Sequence, residues 1–390
     1  MKTLVKFALV AGALIAMVSC TIASRKSDIP LNDSGAYYQY IQPSFVDYLR
    51  VTESWLRDNR SYISADHDRE IKMNMPFEQG DKSNSDKAIL LVHGLGDSPY
   101  SFVDIASSLQ KDGFYVQTLL LPGHGSKPAD LNLPSYTDWQ VFVDHYVNLL
   151  KQDFDHVWLG GYSTGGNLVT LHAIEQGKVD GLMLFAPGFQ SRSHELEKFA
   201  PLLTLFTDGW QAAEENLARY TSSSLNGAIA YIESAEKLRG LLQSNKVTVP
   251  TLIVLSEADS AIDTLAVKDL FLKSFENPKN QLIWYGESTF EHGVISTYTM
   301  KLEEHRISTG SHMSLTFAPS NPYYGLGGER KKCMSSLDEE KMKRCENGEQ
   351  MWYSAWGYEE GDRVHTRLTW NPYYEQLEQV MRKISEGENK

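Results

Sequence analysis

Cysteine is scarce in this chain: three residues in 390, at Cys20, Cys333 and Cys345. No His, Cys, Asp or Glu cluster has the spacing of a metal site, and no Gly-rich nucleotide loop follows a predicted strand. No metal or organic cofactor is therefore implied. Basic residues are outnumbered, 37 Lys and Arg against 50 Asp and Glu, for a formal net charge of −13. That balance argues against nucleic acid as a partner and against adhesion to anionic lipid by charge. Internal repeats and low-complexity tracts are missing as well. What the chain has is 42% apolar residues, enough to bury a sizeable core. Its length suits one large α/β domain with insertions, or two ordinary domains.

The first residues read as a targeting segment. Lys2 and Lys6 form a basic start, and the apolar run Phe7 to Val18 is too short to span a bilayer, which needs about 20 residues. The run ends Met17-Val18-Ser19-Cys20. A small residue before a Cys at this place resembles a bacterial lipoprotein signal, in which Cys20 becomes the acylated N-terminus. An ordinary secretory signal with an incidental Cys is the alternative. Residues 1–19 are then the signal peptide and residues 20–34, polar and Ser-rich, a tether. With Cys20 lipidated, Cys333 and Cys345 remain as an even pair in a polar loop, and exposed thiols in an oxidising compartment are expected to form a disulfide.

The body of the chain alternates strand and helix patterns. Phe45, Val46, Leu49, Trp55 and Leu56 suggest an amphipathic helix over 44–58. The polar run 78–87 reads as a turn or loop. Apolar strand runs follow at 88–92, 116–121, 157–159, 182–186, 251–255 and 281–285, with helices after the first and at 138–153. Such alternation predicts an α/β fold with a mostly parallel central sheet flanked by helices. Between the strands at 182–186 and 251–255 lies a stretch with helical and no strand pattern. It is expected to be a cap inserted over the carboxyl edge of the sheet, about 189–246, or else a helical insertion with its own small core. A turn-rich extension carrying the Cys pair covers about 318–370, and an amphipathic helix closes the chain.

One stretch carries the chemistry. Val157 to Leu159 reads as a buried strand and the residues after Thr164 as a helix. Between them stands Gly161-Tyr162-Ser163-Thr164-Gly165, a G-x-S-x-G at a strand–turn–helix junction. A nucleophile on so sharp a turn needs neighbours without a Cβ. It also sits at a helix N-terminus, where free N–H groups favour a developing oxyanion.

His93-Gly94-Leu95-Gly96, the turn Pro122-Gly123-His124-Gly125 and the Ser163 motif together resemble the α/β-hydrolase superfamily, and more narrowly its monoacylglycerol-lipase and esterase-type branch. The resemblance covers about residues 87–317. It implies Ser163 as nucleophile and the backbone N–H groups of Leu95 and Thr164 as the oxyanion hole. His93 and His124 take loop-shaping roles. The acid is expected after the strand at 251–255, where Asp259 fits the family's turn, with Asp263 and Glu257 as runners-up. For the base, His312 in Gly310-Ser311-His312 resembles the family's His loop, and residues 287–305 are then an insertion. His292 is the rival, and His305 reads as a surface residue.

The expected function is therefore a serine hydrolase cleaving a small-molecule carboxylic ester through a Ser-His-Asp triad. It would be lipid-anchored, with Thr21 after the Cys resembling lipoproteins sorted to an outer membrane. Thioesterase, peptidase or acyltransferase chemistry on the same scaffold, or a non-catalytic surface lipoprotein, are the alternatives. The apolar residues from Phe199 to Trp210 are expected to line an acyl pocket if they face Ser163.

Overall fold

The computed structural model describes residues 33–386 apart from 36, 37, 198, 206, 334, 336 and 337. The leader, Cys20 and the tether up to residue 32 lie outside the described residues. In chain order the elements begin with α1 (Phe45–Asn59), α2 (His67–Asn74), β1 (Glu78–Gln79), β2 (Lys87–Val92), α3 (Val103–Lys111) and β3 (Phe114–Leu119). Then come α4 (Tyr136–Asp153), β4 (His156–Tyr162), α5 (Thr164–Glu175) and β5 (Gly181–Phe185). The inserted region holds α6 (His194–Glu197), α7 (Ala200–Leu203), β6 (Gly209–Trp210), β7 (Ser223–Ser224) and α8 (Leu225–Leu242). The sheet resumes with β8 (Thr251–Ser256), α9 (Thr264–Ser274), β9 (Gln281–Tyr285) and β10 (Ile295–Tyr298). The chain ends with α10 (Glu339–Glu346), β11 (Met351–Ser354), β12 (Val364–Arg367) and α11 (Tyr374–Ser385).

Eight strands form one sheet in the order β1-β3-β2-β4-β5-β8-β9-β10, parallel throughout except at β1. The pleat divides the strand side chains between two cores. Ala88, Leu90 and Val92 of β2 join one apolar cluster with α1, α4, α5, α8 and α9. Ile89 and Leu91 join the other, with α3, α11 and the segment ending at Trp370. Both faces are thus dry, which is why these strands read as unbroken apolar runs. Each fully buried Leu, Ile or Phe stabilises the fold by about 1.5–3 kcal/mol.

Local signals set the helix ends. The Ser135 hydroxyl accepts from Asp138 N–H, and Asp138 accepts from Ser135 N–H, a reciprocal cap that starts α4. The N-terminal region is held to the site loops by a buried ion pair. Arg60 Nε lies 2.8 Å from Glu70 Oε2, and the guanidinium also donates to the carbonyls of Gly125 and Leu217. Glu70 Oε1 accepts in turn from the N–H groups of Ile63 and Ser64, so neither charge lacks partners.

Four segments differ from the sequence expectation, all of them short or polar. Glu78–Gln79, expected in a loop, add an antiparallel edge to β3. Residues 295–298, expected within an insertion, extend the sheet beside β9. Their Ile-Ser-Thr-Tyr composition and half-exposed position gave no apolar run to read. The inserted region has a two-residue antiparallel pair, β6 with β7, before its one long helix. The extension carries the parallel pair β11 and β12. The cysteines of this extension are joined, Cys333 to Cys345, with Cα atoms 5.6 Å apart.

Candidate active site

At the carboxyl ends of the parallel strands, the loops leaving β2, β4 and β8 carry Leu95, Ser163 and Asp259, and a turn beyond β10 carries His312. Ser163 follows β4 directly and is the residue before α5, with φ 55° and ψ −118°. A non-glycine residue in the left-handed half of backbone space costs about 1–2 kcal/mol and persists only where its surroundings hold it. They do so here. Ser163 N–H donates to Phe185 O at 3.0 Å, and Ser163 O accepts from both Gly166 and Gly188 N–H at 2.9 Å. The turn also needs Gly165 as glycine, because a Cβ there would lie 1.9 Å from Val92 O. Helix α5 can therefore approach the end of β2 only without a side chain at this position.

Asp259 lies three residues beyond β8 and is fully buried. Its Oδ1 accepts from Ala261 N–H at 2.8 Å and Ile262 N–H at 2.9 Å, and its Oδ2 lies 2.6 Å from His312 Nδ1. The two other carboxylates of this loop are occupied in holding structure. Glu257 accepts from Glu287 N–H, Ser288 N–H and Ser288 Oγ, stapling the ends of β8 and β9. Burial opposes its charge, but these donors outweigh it and hold the carboxyl below its usual range. Asp263 caps α9 through Ala266 N–H.

His312 stands in a tight turn built by small residues. Ser311 N–H donates to Ser314 Oγ, Ser314 Oγ–H returns to Ser311 O, and Ser311 Oγ accepts from Met313 N–H. Tyr162 Oη, next to Ser163 in sequence, donates to His312 O at 3.2 Å. Gly310 lets this turn close on β8, since a Cβ would stand 2.4 Å from Ser256 Oγ. His292 lies exposed in the loop before β10, and His305 is exposed against the edge of Trp370.

The loop after β2 is shaped by the two histidines of the sequence motifs. Leu121 N–H donates to His93 Nε2 at 3.1 Å, and Gly96 N–H donates to His124 Nε2 at 3.0 Å. Their Nδ1 atoms face the carbonyls of Gly94 and Leu121, so each ring is a neutral bridge between the 93–96 loop and the 121–124 turn. Burial pushes the His93 imidazole down to about 4, and burial with the neighbouring His93 pushes His124 well below its ordinary value. Neutrality lets both accept. The amide groups of Leu95 and Thr164 donate to no other group among the described residues.

Ser163, Thr164, Leu95 and His312 line one cavity of about 480 Å³. The inserted region closes it with Ser191, Arg192, Ser193, Glu197, Arg219 and Tyr231. No motif marked these residues, and chain order alone does not reveal them. The expected acyl-lining stretch does not take part. No described residue between 199 and 210 lines the cavity, and Leu202, Leu205 and Trp210 are 54%, 73% and 43% exposed. Phe206 lies outside the described residues. Apolar composition pointed to burial, but Leu202 in α7, Leu205 after it and Trp210 in β6 face outward. Among the described residues no group of three His, Cys, Asp or Glu side chains is placed to hold a metal ion.

Residues 83–233 match the model of the serine aminopeptidase S33 family. Over 92 residues the chain is 34% identical to a thermostable monoacylglycerol lipase of a Bacillus species, covering 24% of this chain and 36% of that protein. Over 123 residues it is 30% identical to a poly(3-hydroxyalkanoate) polymerase subunit PhaC of Haloarcula marismortui, covering 29% of this chain and 25% of that one. The aligned segments thus span about a third or less of these relatives. Among solved structures, one reported for the metagenome-derived lipolytic enzymes LipS and LipT aligns with TM-score 0.48 at 20% identity, over 57% of this chain and 91% of that one. The parallel sheet of this chain and the strand–turn–helix at Ser163 have the architecture of the α/β-hydrolase fold, and the segment 83–233 is similar to the serine aminopeptidase S33 family and, in part, to monoacylglycerol lipase.

Proposed function

We propose that the protein is a serine hydrolase that cleaves small-molecule carboxylic esters. The observation that carries this reading is the buried Asp259–His312 contact of 2.6 Å, in a loop pair lining the same cavity as the strained Ser163. Ser163 Oγ attacks the ester carbonyl, and His312 takes its proton through Nε2 and returns it to the leaving alcohol. Asp259, held by two backbone N–H groups, fixes the imidazole with its proton on Nδ1. The Leu95 and Thr164 amides, with no other partner among the described residues, receive the charge that develops on the carbonyl oxygen. Water then repeats the sequence on the acyl-enzyme.

Fluorophosphonate labelling tests the reading, because only an activated serine reacts. The tag is expected on Ser163, together with turnover of nitrophenyl esters. A folded protein that takes no label is a binding module instead.

The placement of this activity is part of the proposal. The lipobox-like run ending at Cys20 supports an exported protein held by lipid at that residue. A single acyl chain binds a membrane only marginally, so a stable anchor needs the multiple chains of a lipoprotein N-terminus. Cys20→Ser is expected to release the protein into the soluble fraction. An unacylated mature N-terminus downstream of Cys20, found by mass spectrometry, would exclude the anchor.

A further inference from the structure

The cavity beside Ser163 contains a cation that the proposed chemistry does not use. Arg219 comes from the inserted region and lines the same cavity as Ser163 and His312. Its position is fixed by its neighbour, since Tyr220 N–H donates to Gly96 O at 2.7 Å and the Tyr220 ring stacks over His124. The inserted loop is thereby fastened to the loop that bears Leu95.

Arg219 lacks a proper counter-ion. The nearest carboxylate oxygen, Asp97 Oδ2, is 3.9 Å from Nη1, too far for a charge-assisted hydrogen bond of about 2.7–2.9 Å. Nη1 is buried and has no hydrogen-bond partner. Asp97 is itself engaged, its Oδ1 accepting from Ser98 N–H. Burial disfavours the Arg219 charge, but Asp97, Tyr162 and Tyr324 outweigh it, and the guanidinium keeps a raised pKa. It stays a cation.

Two more basic side chains stand close, both from the disulfide-bridged extension. Lys332 precedes Cys333, and Arg367 ends β12, with Arg367 N–H donating to Lys332 O at 3.2 Å. The Lys332 ammonium has the Met313 thioether at 3.8 Å and no carboxylate within ion-pair distance among the described residues. Burial, then the charges of Arg219, Arg367 and Arg330, push its pKa well below the usual lysine value. Burial and Arg219 likewise lower Arg367, to about 10. Lys332 feels Arg219 and Arg367, and Arg367 feels Arg219, as excess positive charge. Of the carboxylates nearby, Asp259 is committed to His312 and Asp97 is shared. Glu197 also lines the cavity, but it weighs on Tyr231 rather than ranking among the charges that set Arg219.

A partly buried cation whose one carboxylate stands at 3.9 Å gains from a closer anion. Resting on the ester-hydrolase reading, we infer that the substrate carries a carboxylate close to its scissile ester, and that Arg219 binds it through the accessible part of its guanidinium, with Arg367 adding to the attraction. Arg219 is thus a specificity-determining residue. The inserted region places the guanidinium in the pocket, and the C-terminal extension sets Arg367 near it. A protein of net charge −13 would otherwise repel such a substrate.

The test compares three esters on the full chain. Nitrophenyl butyrate is neutral, mono-nitrophenyl glutarate carries the carboxylate on the acyl side, and the butyrate ester of 4-hydroxybenzoate carries it on the alcohol side. One of the two anionic esters is expected to show a lower KM than a neutral ester of the same shape, and a KM that rises with salt. In Arg219→Gln the ratio of its kcat/KM to that of the neutral ester should fall about 10- to 100-fold, as for loss of one charge-assisted hydrogen bond, with partial retention in Arg219→Lys. Fluorophosphonate labelling of Ser163 in the variant reports that the site is folded. If the variant does not fold, the wild type answers alone: free glutarate should compete with the neutral ester and protect Ser163 from the label, and failure of both overturns the inference. Equal ratios in wild type and variant, or preference for a neutral or cationic ester, overturn the anionic subsite and leave the hydrolase reading standing. Absence of both labelling and turnover in the wild type overturns both.

Discussion

Ser163→Ala is expected to abolish fluorophosphonate labelling and to lower ester turnover by on the order of 10⁴- to 10⁶-fold, as removal of a catalytic nucleophile does elsewhere. The fold should survive. The three hydrogen bonds that hold this residue at φ 55° are made by its backbone N–H and C=O, and alanine keeps all of them. Alanine also keeps the Cβ, so the cost of the left-handed conformation is unchanged. Thermal unfolding of the variant should therefore match the parent within a few degrees. A folded variant with substantial ester turnover would remove Ser163 from the mechanism.

His312→Ala should be as inactive as the serine variant, while His292→Ala should retain activity within about a factor of two to three, the range for surface substitutions away from special features. The contrast follows from their surroundings. His312 is 8% exposed, bonded to the buried Asp259 and backed by Tyr162, next to the nucleophile in sequence. His292 is exposed in the loop before β10, where its Nδ1 meets only Val294 N–H at 3.5 Å. Truncating His312 also leaves Asp259 without its third hydrogen-bond donor, which adds a stability cost of about 1–3 kcal/mol. Activity must therefore be normalised to folded protein. Loss of turnover in the His292 variant with retention in the His312 variant would exchange their roles.

The elements that carry function were legible where the physics is local. A strand buried on both faces has to be apolar without interruption, so β2, β4, β5, β8 and β9 could be read from composition alone. The turn at Ser163 could be read because no side chain fits where Gly165 meets Val92 O. The Gly310-Ser311-His312 turn was visible for a similar reason, as its hydroxyls bond within four residues. Polar edge strands left no such mark. Strand β10 needs only backbone donors and acceptors to pair with β9, and almost any half-exposed sequence supplies those.

Chain order also marked Asp259 as the acid but could not exclude its neighbours. Glu257 and Asp263 differ from it only in what the fold sets against them, a staple to the next strand in one case and a helix N-terminus in the other. The inserted region shows the limit most clearly. Its apolar residues suggested a pocket lining, yet Leu205 and Trp210 point outward, while Arg219, which carries no motif, lines the cavity. The sequence by itself determined the parallel sheet, the nucleophile turn and the candidate members of the site, because each depends on contacts within a few residues or on one buried face. Which carboxylate meets which histidine, and that Arg219 lines the cavity of Ser163 with Lys332 and Arg367 near it, was decided only by tertiary structure. Asp259 and His312 stand 53 residues apart in the chain, Arg219 and Arg367 belong to the insertion and the extension, and only the packing of these segments on the sheet brings their charges together.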